Sequence, residues 1–151
     1  MRLQAIIFAS ALLFATPILS AEVMPDTVVF GEDGDVALSL TGVAGDPVAG
    51  KKVFINRKLG NCLACHVNTD ASDQSFHGEV GPALDGAADR WDTAQLRGIV
   101  VNSKKTFEDS IMPSFYRKVN GVRTMEKFEG KTILSAQQVE DVLAYLQTLK
   151  E

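Results

Sequence analysis

The chain has only two cysteines in 151 residues, Cys62 and Cys65, and only two histidines, His66 and His77. So few thiols exclude a disulfide scaffold. The lack of a second Cys/His pair argues against a closed structural zinc site, which needs about four ligands. Beyond residue 21 no apolar run reaches the roughly 20 residues of a membrane span, and no internal repeat is visible. Basic charge is also short: 15 Lys and Arg stand against 19 Asp and Glu, a net charge of −4. That balance argues against nucleic acid or an anionic membrane surface as partner.

What the chain does have is concentrated. Both cysteines fall in Cys62-Leu63-Ala64-Cys65-His66, the attachment signature of c-type haem. The spacing follows from the chemistry. Each thiol adds to a haem vinyl group as a thioether, and the adjoining His66 is then held beneath the iron as its proximal ligand. A thioredoxin-like dithiol is the competing reading, but it wants a βαβ context, and no flanking strands are evident. One covalent haem c is therefore expected, with Cys62 and Cys65 attaching it and His66 binding its iron.

The N-terminus supports this. Met1-Arg2-Leu3 leads into an apolar run from Ala5 to Leu19, closed by Pro17, Ser20 and Ala21. One basic residue, a short apolar stretch and a small residue describe a secretory signal peptide, with cleavage expected after Ala21. A retained membrane anchor is the alternative, for which the run is short. Haem is attached to c-type apocytochromes after export, so the expected location is the bacterial periplasm. The expected organisation is a leader over 1–21, an arm over 22–45 and a haem domain over 46–151. Without Arg2 the mature chain carries 14 basic and 19 acidic side chains, a net charge of about −5. Residues 22–92 hold 12 acidic and 5 basic side chains, and residues 93–151 hold 7 and 9. Either an asymmetric docking surface or ordinary solvated helix faces accounts for this split.

In the arm, Thr27-Val28-Val29-Phe30 is β-prone and Gly31-Glu32-Asp33-Gly34-Asp35 is a turn cluster, giving a loose hairpin or an extended segment. It is too short to be a domain, so it must pack on the haem domain or on another protein. Asp46 can cap a helix that begins with Pro47. Ala49, Val53, Phe54 and the stem of Arg57 share its face, and Gly60 suits its stop. Asp92 and Gln95 can cap a second helix carrying Leu96, Ile99 and Val100, with Asn102 a plausible end. Ser135 and Gln138 form a capping box ahead of a stripe of Val139, Val142, Leu143, Leu146 and Leu149 at helical spacing.

Helix, haem motif, loop, helix, loop and terminal helix resembles a class I cytochrome c, an all-α fold, here preceded by an extended arm. In that fold the first and last helices cross near the haem edge. Gly50 would permit the close approach, with Phe54 and Tyr145 in aromatic contact. The sixth iron ligand is sought among Met24, Met112, Met125 and His77. Met24 precedes the motif. His77 is only eleven residues past His66 among polar neighbours, which suggests a surface residue. Met125 sits among Arg123, Glu126 and Lys127. Met112 lies far enough along to reach the distal side, and Pro113 keeps its segment extended. The class I pattern, a distal methionine followed by proline, favours Met112. It also matches Pro82, after Gly81, to the carbonyl that orients the proximal imidazole. Arg90 and Trp91 could serve a haem propionate, although a lone tryptophan is as often plain core.

The resemblance goes further. Ser39-Leu40-Thr41-Gly42, Gly45-Asp46-Pro47, Gly60-Asn61 with the haem motif, Gly81-Pro82, Met112-Pro113-Ser114-Phe115-Tyr116 and Leu134 through Leu146 look like the SoxX family. These are the monohaem subunits of the SoxAX complexes of sulfur-oxidising bacteria. The resemblance implies a heterodimer with a SoxA-type c-haem subunit, which oxidatively joins thiosulfate to a cysteine of the SoxYZ carrier (L-cysteine S-thiosulfotransferase activity). The sulfur chemistry would lie on SoxA. This chain would contribute no catalytic residue and would pass electrons to a small cytochrome c. The alternative is a free-standing periplasmic electron shuttle, which needs every haem residue but not the arm. A haem enzyme with an open distal site would require Met112 to be off the iron.

Overall fold

A computed structural model describes residues 21–119, 121 and 124–151. The leader expected over 1–21 lies outside these apart from Ala21.

Helix α1 runs over Pro47–Ile55, and its N-terminus is built as the sequence predicts. Asp46 accepts from the Val48 N–H at 2.8 Å, and Pro47 occupies a first-turn position where no N–H is missed. The helix stops earlier than Gly60. Asn56 closes it, with its N–H on the Val53 carbonyl, and the chain winds on so that the Gly60 N–H reaches the same carbonyl at 3.2 Å. Arg57 consequently lies outside the helix and is exposed.

The short α2 covers Ala87–Arg90, and α3 covers Thr93–Asn102 with the full Asp92–Gln95 capping box. Helix α4 covers Ala136–Leu146 with the Ser135–Gln138 box. Each box satisfies two otherwise unpaired donors at a helix start. Leu149 lies beyond the end of α4 yet is buried, because the chain tightens into a turn over 147–149 that keeps it on the core side.

α1 and α4 cross at Gly50. A Cβ there would collide with the Asp141 carbonyl and stand 3.0 Å from Tyr145 Cβ, so only a glycine allows this approach. Phe54 and Tyr145 meet edge to face at 5.2 Å between ring centroids, a favourable aromatic arrangement. The Asp141 carboxylate accepts from the Asp46 N–H at 2.9 Å and fixes where α1 begins. The core is continuous from Val53 and Phe54 through Leu96, Val100 and Val101 to Val139, Val142, Leu143 and Leu146.

The arm packs on its own domain. Among the described residues it forms no strand. It makes a 3₁₀ turn over Pro25–Thr27, turns again at 31–35, and is tied down by the Val36 N–H on the Ala94 carbonyl at 2.9 Å. Val36 and Leu40 join the core. Beneath it lies a buried ion pair. Arg97 Nε meets Glu140 Oε1 at 2.9 Å, and Nη2 meets Oε2 at 3.1 Å. Arg97 Nη1 donates to the Val36 carbonyl at 2.8 Å, and Glu140 Oε1 accepts the Leu40 N–H at 2.8 Å. A desolvated pair is tolerated only with its remaining hydrogen-bonding positions filled, and the arm backbone fills them. The outward side of the arm leaves Val29, Leu38 and Val43 exposed.

Candidate functional site

Asn61 takes a left-handed conformation (φ 49°) that turns the chain into a single 3₁₀ turn over Cys62–Ala64. The Cys65 and His66 N–H groups both point to the Cys62 carbonyl, at 3.1 and 3.0 Å. Two thiols and an imidazole thus project from one tight turn. Neither cysteine is in a disulfide, and both are half-buried. Burial pushes the Cys62 thiol up to about 12.

His66 is oriented by its surroundings. Its Nδ1 donates to the Pro82 carbonyl at 2.7 Å, which leaves Nε2 as the nitrogen able to bind a metal. Gly81 lies against the ring face: a Cβ there would sit 2.6 Å from Nδ1. The Gly81 N–H is bonded to the Cys65 carbonyl at 2.7 Å and the Leu84 N–H to the Val67 carbonyl at 2.9 Å. The loop carrying Pro82 is thereby stitched to the chain carrying His66. These donors, with half-buried Leu84, Trp91, Met112 and Ile133 against the core, fit a covalent haem.

Met112 is half-buried at the edge of the core. Its carbonyl accepts from Ser103 Oγ at 3.0 Å and from the Lys104 ammonium, both just past α3. The rivals are placed otherwise. Met24 and Met125 are more than half exposed, at 53% and 55%. His77 is half-buried rather than on the surface, and both its nitrogens are engaged. Nδ1 accepts the Asn68 N–H at 3.2 Å, so Nε2 donates to the Ala71 carbonyl at 3.0 Å. It pins the loop after the haem motif.

Arg90 donates to the carbonyls of Ala83 and Asp85, each at 2.7 Å, and braces the loop after Pro82. Trp91 packs edge to face on Phe107 at 5.9 Å. The sequence reading missed Asn68. It is fully buried and donates to the Tyr145 hydroxyl at 2.8 Å, which in turn donates to Asp70 at 2.7 Å. Burial, reinforced by Asp70, raises the Tyr145 pKa and keeps the hydroxyl protonated. Nothing local in the sequence marks Asn68, since its partner lies on α4. Among the described residues no three His, Cys, Asp or Glu side chains gather into a metal site, and no helix is long and apolar enough to cross a membrane.

A family model described as cytochrome c matches residues 47–150. A chain in the crystal structure of SoxXA from P. pantotrophus is 48% identical, with a TM-score of 0.81 over 87% of this chain and 100% of that one. The chain belongs to the cytochrome c family, in its SoxX branch. Nothing among the curated proteins matches it. Its fold is the all-α class I cytochrome c fold, and its cofactor is one covalently bound haem c.

Proposed function

We propose that this cytochrome is the electron-transfer subunit of a SoxAX-type complex. The observation that carries the reading is the 48% identity to a SoxXA chain that is covered in full. Cys62 and Cys65 would attach the haem, and His66 and Met112 would hold its iron. The Pro82 carbonyl holds the His66 ring in one orientation and raises its basicity through the Nδ1–H bond. The haem supplies a one-electron Fe(II)/Fe(III) couple. As a thioether ligand, Met112 would favour the reduced iron and raise the potential relative to a second histidine. With His66 and Met112 both holding the iron, the group would serve electron transfer, and bond chemistry would fall to the partner.

On this reading the partner is a SoxA-type c-haem subunit. The complex joins thiosulfate to a cysteine of a SoxYZ carrier, and the two electrons released leave one at a time through this chain to a small cytochrome c. The exposed Val29, Leu38 and Val43 on the outer side of the arm are suited to the partner contact. The chain is exported to the periplasm, and its leader is removed after Ala21.

Three measurements test this. Oxidised protein should show the weak near-infrared band of sulfur-to-iron ligation, and Met112→Ala should lose it; an unchanged spectrum removes Met112 from the iron. Native protein should co-purify with a second c-type haem chain. Elution alone, with thiosulfate oxidation surviving deletion of this chain, would leave the free shuttle as the correct reading.

A further inference from the structure

The segment from Met112 to Tyr116 is fastened at both ends. At its start, Ser103 and Lys104 hold the Met112 carbonyl, and Ser114 Oγ donates to Asn102 Oδ1 at 2.8 Å. The Phe115 and Tyr116 N–H groups reach the Val100 and Val101 carbonyls at 3.2 and 3.3 Å. All of these partners belong to the C-terminal end of α3 or the turn after it. At its far end the fastening comes from the arm. Tyr116 is 2% exposed, and its hydroxyl donates to the Val23 carbonyl at 2.8 Å, with Glu22 Oε1 a second acceptor at 3.1 Å.

The arm is anchored to the same helix. Its Gly34 carbonyl lies so close to Gly98 that a Cβ there would collide with it, and that Cβ would stand 3.0 Å from Asp35 Cα. Arg97 grips the Val36 carbonyl at 2.8 Å. The Val23 N–H returns to the Leu40 carbonyl at 2.7 Å. Arm, α3 and the segment 112–116 therefore form a closed circuit of backbone contacts, and the Tyr116 hydroxyl closes it.

We propose that the N-terminal arm is a strap on the distal methionine segment, with Tyr116 as the positioning residue through which it acts. This rests on the reading of Met112 as the axial ligand. A thioether is a neutral ligand that leaves the iron when its segment opens locally, and the frequency of such opening is set by the contacts that hold the segment shut. Val23, through Tyr116, is one of those contacts. The strap keeps the distal side closed to outside ligands and confines the haem to electron transfer. Anything that lifts the arm loosens Met112.

The test is cyanide binding to the oxidised, haem-loaded full chain, followed in the Soret band at cyanide well below saturation, where the opening equilibrium sets the rate. Tyr116→Phe keeps the ring and removes one hydrogen bond, worth about fivefold in the opening equilibrium, so cyanide should enter about fivefold faster. Tyr145→Phe removes an equally buried hydroxyl that does not touch the distal segment; it should lower global stability and leave the cyanide rate unchanged. Met112→Ala should bind cyanide far faster than either. If Met112→Ala binds no faster than the parent, the ligation reading falls and the strap's role falls with it. If Met112→Ala is fast but Tyr116→Phe matches the parent, or if Tyr145→Phe accelerates entry as much, the strap alone is overturned.

Discussion

His66 gives its Nδ1 hydrogen to the Pro82 carbonyl across 2.7 Å, and the residue before that proline has no side chain because the imidazole occupies its place. Gly81→Ala puts a methyl group among the ring atoms. The expected outcome is a rotated or displaced His66, a loss of about 1–3 kcal/mol from overpacking, and a reduced fraction of correctly ligated haem. Haem content per chain and the near-infrared band of the oxidised protein measure both. A variant with unaltered ligation would show that the loop yields more easily than its backbone bonds to Cys65 and Val67 indicate.

The helix crossing makes a similar demand at Gly50. Gly50→Ala should cost about 1–3 kcal/mol, because the obstacle is the backbone of α4 and not a flexible side-chain tip. Val48→Ala, two residues earlier on α1 but 64% exposed, should stay within about 0.5 kcal/mol. Urea titration with an unchanged m-value separates the two.

The Arg97–Glu140 pair is 8% and 6% exposed on its two side chains. Removing one partner strands the other charge out of water, so Arg97→Met or Glu140→Gln alone should cost about 3–5 kcal/mol. The double variant Arg97→Met/Glu140→Leu should lose clearly less than the sum of the two single losses. Additive losses would mean that the two charges act separately, through their bonds to the arm.

Asp70 is held below the usual carboxylate range, first by its hydrogen bond with Lys51 and then by the Tyr145 hydroxyl. Folding lowers this pKa, so the charged form stabilises the fold at pH above the unfolded value of 3.8. That contribution is lost as the pH falls on through the folded value. Asp70→Asn should flatten the acid limb of a urea-midpoint profile below about pH 4 and change little at pH 7 beyond a constant offset. Half-exposed as it is, the pair makes a modest contribution. An acid limb identical to that of the parent would assign the sensitivity elsewhere, Asp85 being the next group with a lowered pKa.

Much of the haem domain is readable from short stretches of sequence because the forces there are local. Asp92 with Gln95, Ser135 with Gln138, and Asp46 before Pro47 each announce a helix within four residues, and the helices begin where those pairs stand. Cys62, Cys65 and His66 are legible for the same reason, since one turn carries all three. The arm was not. Its order comes from Arg97, Gly98 and Glu140, residues about 60 to 100 positions away. Arg97 in sequence is simply a charge on a helix. His77 misled in the same way: polar neighbours suggested a surface residue, whereas the backbone of 68 and 71 folds round its ring. The Met112–Tyr116 stretch was recognisable as a motif, but the purpose of its tyrosine appears only once Val23 is seen to be its acceptor.

That acceptor stands two residues beyond the expected leader cut. On the proposed reading, processing after Ala21 would leave Glu22 and Val23 at the new end of the chain, where Tyr116 holds them. Trimming by two residues more would remove the anchor while sparing every haem ligand. If Met112 holds the iron as proposed, the accuracy of a peptidase that never meets it would then govern how firmly that bond is kept, and ragged N-termini in a purified sample would show up as a mixture of fast and slow cyanide phases.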